Sequence, residues 1–238
     1  VCTDSRLVDL NHHPDGDGIV AVFEDNRQQR CDAVVIATGG YAHPKSEIIR
    51  TVAPHLASLP TTNGNTSERG GDTQTLLKRR FGARLQDLDR VQVHPTALVD
   101  QSDPENPHKE LLAEAVRGLR GATLVDENGH RFVDELLPRD ELVAAMQATG
   151  SQKFFVLVPR EHGTSPFVKR LLERGLFRAA RDSEQLHQQL GDVLVAEVTP
   201  ALHYSMGGVS VDVDGRVLAE GGEPVRGVYA AGEVTGGL

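Results

Sequence analysis

Two apolar runs that end in glycine restrict this chain more than any other feature. "CDAVVIATGG" covers residues 31–40 and "RGVYAAGE" covers 226–233, at opposite ends of 238 residues. A short apolar run bounded by turn residues suits a strand covered on both faces. Glycine at the end of such a strand lets a backbone approach a bound group closely. For either run alone, plain turn chemistry is an equally good reading. A mostly helical stretch separates the two. The pattern predicts one α/β domain interrupted by an inserted domain.

The intervening elements follow from periodicity and caps. Residues 5–40 read as β structure, with "GIVAVFE" (18–24) alternating. Gly16-x-Gly18-x-x-Ala21 formally matches a dinucleotide fingerprint. A β run follows it where the fingerprint needs a helix, so a hairpin turn is expected. Residues 41–71 read as loop, and Asp72 as the N-cap of a helix to Phe81 that stops at Gly82. "VQVHPTALVD" (91–100) is strand-like, and "KELLAEAVRGL" predicts a helix near 108–118. "ATLVDENGHRFVDE" predicts a hairpin turning at Asn128-Gly129, and a helix runs from near Pro138 to Gly150. "KFFVLVP" is a strand; "SPFVKRLLERG" and "DSEQLHQQLG" are amphipathic helices, the second opened by Asp182 and Gln185 in a capping-box arrangement. "GGVSVDVDGRVLAE" is a further hairpin, and the acidic loop 100–110 is expected to be a surface insertion.

Charge and composition exclude several functions. Lys and Arg number 25 against 34 Asp and Glu, a net charge of −9, and only 4% of residues are aromatic, with no Trp. A chain without a basic stripe or stacking platforms is not expected to bind nucleic acid. No apolar run reaches the roughly 18 residues of a membrane helix. Cys2 and Cys31 form neither a disulfide framework nor a zinc spacing, and the ten His include no His-Glu-x-x-His, so no metal is expected. The chain begins at Val1 and stops in a Gly-rich turn, "EVTGGL", so a segment of a longer polypeptide is expected.

Several polar residues invite a chemical reading beside an ordinary one. Of the three His-Pro pairs, His13-Pro14 and His43-Pro44 lie in loop-like stretches, whereas a strand delivers His94-Pro95. Glu114 and Arg117 share one helix face. They are either a surface ion pair worth under about 1 kcal/mol or a charged relay. Arg139 at a helix start is either an exposed cation or part of a carboxylate site. His203, before a Met-Gly-Gly turn, reads by itself as structural.

Taken together, "VVIATGGY", "TNG", "GGD", "VQVHPT", "AEAVRG", "GHRFVDEL", "RDELVAA", "HYSMGGVSVD" and "GVYAAGEVTGGL" resemble the flavoprotein subunits of the fumarate reductase and succinate dehydrogenase family. They occur in family order across most of residues 30–238 and look nearest to the soluble FAD-dependent fumarate reductases. The resemblance implies an α/β fold, an incomplete FAD-binding Rossmann-like domain interrupted by an α+β capping domain. Residues 1–88 and 205–238 are expected to be FAD-binding, and 89–204 the cap. It implies flavin-dependent reduction of fumarate to succinate, with Arg139 as proton donor and Glu114 and Arg117 as its relay. His94, Thr96 and His203 are expected to bind substrate. Thr38, Gly39, Gly40, Asn63, Asp72, Gly232 and Glu233 are expected to contact FAD. L-aspartate oxidation, another dicarboxylate or enoate oxidoreduction, succinate oxidation and an inactive flavin scaffold are the alternatives.

The resemblance also places the family's dinucleotide fingerprint before residue 1 and a further substrate-binding arginine after residue 238. The segment alone is therefore expected to bind FAD poorly and to be inactive. Ala113 stands where many relatives carry Ser or Thr. Expected partners are a small dicarboxylate and an electron donor, whether an NADH reductase module, a haem domain or a flavin. An intracellular setting, cytoplasm or mitochondrion, is expected.

Overall fold

The computed structural model describes residues 3–62, 69–180 and 192–237. Alternation in the first forty residues gives an antiparallel sheet of β1 (Leu7–His12), β2 (Ile19–Phe23) and β3 (Gln28–Cys31), with Leu10 opposite Ala21 and Ile19 opposite Cys31. Gly16 and Gly18 take positive φ in the β1–β2 turn, so their spacing is turn chemistry. β4 (Val34–Ile36) is the first of the two glycine-ended runs. Residues 41–71 are not simply loop. α1 (Glu47–Val52) and a 3-10 turn at Pro54–Leu56 lie within them, held by buried Ile48, Ile49 and Leu56. α2 (Asp72–Phe81) ends at left-handed Gly82 as expected. Its N-cap is Gly71, however, and Asp72 is the first helical residue, with its carboxylate on Arg6 at 3.3 Å.

β5 (Leu85–Gln86) and β6 (Val91–Leu98) follow. The helix expected near 108–118 shrinks to α3 (Glu114–Arg117). The preceding residues pair with their neighbours instead: Leu98 N–H donates to Leu111 O and Ala113 N–H to Thr96 O. Tertiary pairing overrides the helical propensity of "KELLAE". β7 (Thr123–Asp126) turns at Asn128-Gly129 as expected, although the returning limb makes a single bridge, Val125 to Arg131. α4 (Arg139–Thr149), β8 (Phe154–Pro159) and α5 (Pro166–Glu173) match their predicted spans. Ser165 Oγ caps α5 by accepting from Val168 N–H at 3.3 Å. β9 (Arg178–Ala179) is followed by β10 (Val193–Ser205), a strand the sequence reading left unassigned. The helix expected from Asp182 lies outside the described residues. β11 (Gly208–Val209), β12 (Arg216–Leu218) and β13 (Pro224–Ala230) follow, and a 3-10 turn at Gly232–Val234 comes after them.

The chain divides into two compact units, one of residues 1–57, 65–91 and 204–238, the other of 58–64 and 92–203. Residues 58–62, inside the expected first segment, thus group with the second unit, where Thr61 bridges to His108 and Leu202. In the first unit β13 lies between β12 and β4 and runs parallel to β4, Val228 beside Val34 and Ala230 beside Ile36. The two glycine-ended runs are therefore neighbours. Ile36, Val228 and Ala230 join a core with Leu10, Leu77 and Val234. Only one face of β4 is covered among the described residues, since Val35 is 66% exposed. The second unit has a sheet in the order β6-β10-β8-β7, with β9 also on β10, and its own core of Leu124, Leu142, Met146, Val156 and Leu171.

Candidate active site and cofactor cleft

The second unit gathers the charged residues singled out from the sequence. β6 carries Gln92 and His94 on one face, because side chains two apart on a strand point the same way. His94 is fully buried. Its Nδ1 accepts from Thr96 N–H at 3.1 Å, so Nε2 carries the hydrogen and donates it to Glu114 Oε2 at 2.5 Å. Glu114 opens α3, and Arg117 one turn on reaches Glu114 Oε1 with Nη2 at 3.1 Å. Arg139, the first residue of α4, places Nε at 3.0 Å and Nη2 at 2.8 Å from Glu114 Oε2. Its Nη1 donates to Gln92 Oε1 at 2.7 Å. One carboxylate thus receives two guanidinium groups and an imidazole N–H.

The electrostatics follow from that crowding. Burial would raise the Glu114 carboxyl, but hydrogen bonds from Arg139 and His94 bring it down to about 2. Burial, against the pull of Glu114, lowers His94 to about 4, so its ring is neutral near pH 7. The His94–Glu114 contact is therefore a hydrogen bond from a neutral donor and not an ion pair. His203 on β10 sits with its ring centroid 5.3 Å from that of His94, edge to face, and its Nδ1 is 2.6 Å from Thr62 Oγ1. Burial and the Arg139 charge lower His203 as well.

A second layer fixes Arg117. Its Nη1 donates to the Glu135 carbonyl and, at 3.5 Å, to that of Leu137. The Glu135 side chain is clamped by Arg131 and by Leu124 N–H. Thr96 Oγ1 and Arg117 Nε are buried and have no hydrogen-bond partner among the described residues. Gln92, Thr62 and Glu135 were missed in the sequence. For Gln92 the signal was its two-residue spacing from His94; for the other two no local signal exists.

The first unit holds the residues expected at FAD except Asn63. Thr38, Gly39, Gly40 and Asp72 line one cleft of about 300 Å³, together with Arg6 and Gln74. Gln74 Nε2 donates to Gly39 O at 3.2 Å, which ties the end of β4 to α2. Open space lies where a side chain at Gly39 or Gly232 would stand, and both take positive φ. A backbone bared in this way, beside donors from Arg6 and a helix start, fits part of a phosphate-bearing cofactor. Gly232 and Glu233 do not line that cleft. Glu233 Oε1 instead accepts from Ser205 N–H at 2.9 Å and Oγ–H at 3.2 Å, and Ser205 Oγ accepts from Tyr41 N–H. A Cβ at Gly40 would collide with both Ser205 Oγ and Glu233 Oε1. Asn63 lies outside the described residues. Of the other His-Pro pairs, His13 caps a turn through Asp15 N–H, and buried His43 accepts from Lys45 N–H.

Comparison with known proteins adds a context. The family described as an FAD binding domain matches residues 2–238. Fumarate reductase 1 of Saccharomyces cerevisiae is 32% identical across 99% of this chain and 60% of its own length. An L-aspartate oxidase of Streptomyces coelicolor is 36% identical across 85% of this chain and 31% of its own. The open conformation of a flavocytochrome c3 fumarate reductase matches in structure with a TM-score of 0.75 and 26% identity, over 98% of this chain and 47% of that one. The chain spans 60% of the yeast relative's length and less of the other two.

Proposed function

Because the chain belongs to the FAD binding domain family, we propose that the polypeptide carrying it reduces fumarate to succinate. The observation that carries this reading is the cluster of His94, Glu114, Arg117 and Arg139 beside His203, a set a flavin-binding scaffold does not need. FAD, when bound, supplies two-electron hydride chemistry. Thr38, Gly39, Gly40 and Asp72 would hold it in the first unit, with Glu233 bracing the Gly40 turn through Ser205.

The second unit's residues bind the dicarboxylate and handle the proton. A dianion needs donors and positive potential, and Arg139, His203 and His94 together offer both. Arg139 presents a guanidinium 31% exposed, the outermost cation of the cluster. An arginine gives up a proton reluctantly, so a neighbouring group must pass it a replacement proton at once. Glu114 touches Arg139 directly, and Arg117 anchors Glu114 from the buried side. Gln92 fixes the plane of the Arg139 guanidinium, which keeps the donor within hydrogen-bond reach of a bound ligand.

L-aspartate oxidation is the second reading, favoured by the 36% identity to an L-aspartate oxidase. An electron donor, either a fused module or a separate protein, completes the system. The deciding experiment uses the full-length protein purified with its flavin and reduced without oxygen. Fumarate should restore the oxidised flavin spectrum rapidly and yield succinate. A spectrum unmoved by fumarate, but changed when L-aspartate is added to the oxidised protein, would establish the second reading instead.

A further inference from the structure

Glu114 is badly suited to carry a proton in the arrangement just described. Its Oε2 takes His94 Nε2–H and two Arg139 nitrogens, and its Oε1 takes Arg117 Nη2. Held down to about 2, it stays anionic near neutral pH. A proton carrier works best when its affinity lies near the operating pH.

Resting on the dicarboxylate reading above, we infer that a bound dicarboxylate draws His94 Nε2–H and Arg139 away from Glu114, and that Glu114 takes a proton from solvent in exchange. Four observations carry this. His94 has a single hydrogen to give, because Nδ1 is committed to Thr96 N–H, so ligand and Glu114 compete for it. Arg139 is the most exposed of the three donors and, among the described residues, is held elsewhere by Gln92 alone. Arg117 is 8% exposed and pinned by the Glu135 and Leu137 carbonyls, so it stays with Glu114. The Glu114 side chain is itself 38% exposed, which gives it access to solvent protons.

Of the groups facing Glu114, two turn from it when a dianion arrives and one stays. Arg139 on α4 turns towards the ligand, and neutral His94 on β6 follows. Arg117 on α3 remains, while His203 on β10 stands edge to face with His94 and feels the Arg139 and Glu114 charges. Two fewer donors and two added negative charges disfavour a second anion at Glu114. One proton leaves the buffer and bonds to a Glu114 oxygen; no bond in the ligand changes. Ligand binding thereby loads the carrier before turnover starts, and Glu114 is a proton store as well as a relay.

The test is calorimetric. Malonate, a dicarboxylate that cannot be reduced, is titrated into the oxidised full-length flavoprotein near neutral pH in buffers of contrasting ionisation enthalpy. We expect uptake approaching one proton per malonate bound, and its loss in Glu114→Gln. Malonate binding without uptake overturns the inference and leaves the proposed function standing. Uptake that survives Glu114→Gln, or that vanishes only in His203→Asn, also overturns it by assigning the proton to an imidazole. No malonate binding, by heat or by thermal shift, removes both readings. If Glu114→Gln fails to fold, infrared difference spectra with ¹³C-labelled malonate decide the matter in the unmodified protein. A new protonated-carboxyl band from the protein is expected, and its absence overturns the proposal.

Discussion

At the residue scale, the site is a contest for hydrogen-bond donors around one carboxylate. Arg139 is the member whose chemistry a substitute cannot copy. Lysine keeps the charge but not the fork that reaches Glu114 and Gln92 together. Arg139→Lys should retain flavin, by absorbance, and lose nearly all turnover with fumarate; near-normal turnover would sink the assigned role. Acid should also loosen the second unit. His94 and Glu114 both have depressed affinities in the folded state, so the unfolded chain binds more protons as pH falls. Their stabilisation is present above the ordinary values and lost on acidification, between 6.5 and about 4 for His94 and between 4.5 and about 2 for Glu114. Denaturant melts should show stability falling from pH 6.5 downwards, with His94→Asn removing the upper part of that slope.

At the element scale, the junction of β4 and β13 is where sequence separation and spatial closeness differ most. The two strand ends meet through Gly40, Ser205 and Glu233, with no room for a side chain at position 40. Gly40→Ala should lower unfolding free energy by about 1–3 kcal/mol through overpacking and reduce flavin content; an unchanged melt would show that the turn relaxes freely. Much of this level was legible. The glycine-ended runs, α4 with its Pro138 and Gly150 boundaries, and the α5 cap are local signals. Order and spacing of the motifs led to the FAD-binding family and to its fold. Two features were not legible for physical reasons. Residues 108–113 have helical composition, yet they pair with Thr61 and β6, a long-range choice that periodicity does not encode. β10, which delivers His203, mixes Glu197, Thr199 and Pro200 into an otherwise apolar strand and so hides its period. At the site, Gln92 was readable from its spacing, whereas the Glu135 carbonyl that pins Arg117 is a backbone atom no sequence motif reveals.

At the scale of the whole molecule, the net charge of −9 on these 238 residues opposes a dianion, so the proposed binding would depend on the local field of Arg139 and Arg117. Fumarate at about 100 times its Kd should stabilise the full-length protein by about 2.7 kcal/mol, read as a rise in melting temperature; no shift at any concentration would favour a scaffold. The parallel pairing of Val34 with Val228 has a consequence for biosynthesis. β4 leaves the ribosome roughly 190 residues before β13, which at 5–20 residues per second is a wait of about 10–40 s. Through that interval the nascent β4 has neither its neighbour nor the Glu233 carboxylate that secures its glycine turn. The second unit, apart from residues 58–64, is drawn from one continuous stretch and can close while the first is still waiting. Chaperone demand during translation should therefore track the first unit, and a stalled or truncated chain ending before Pro224 should be cleared by proteases.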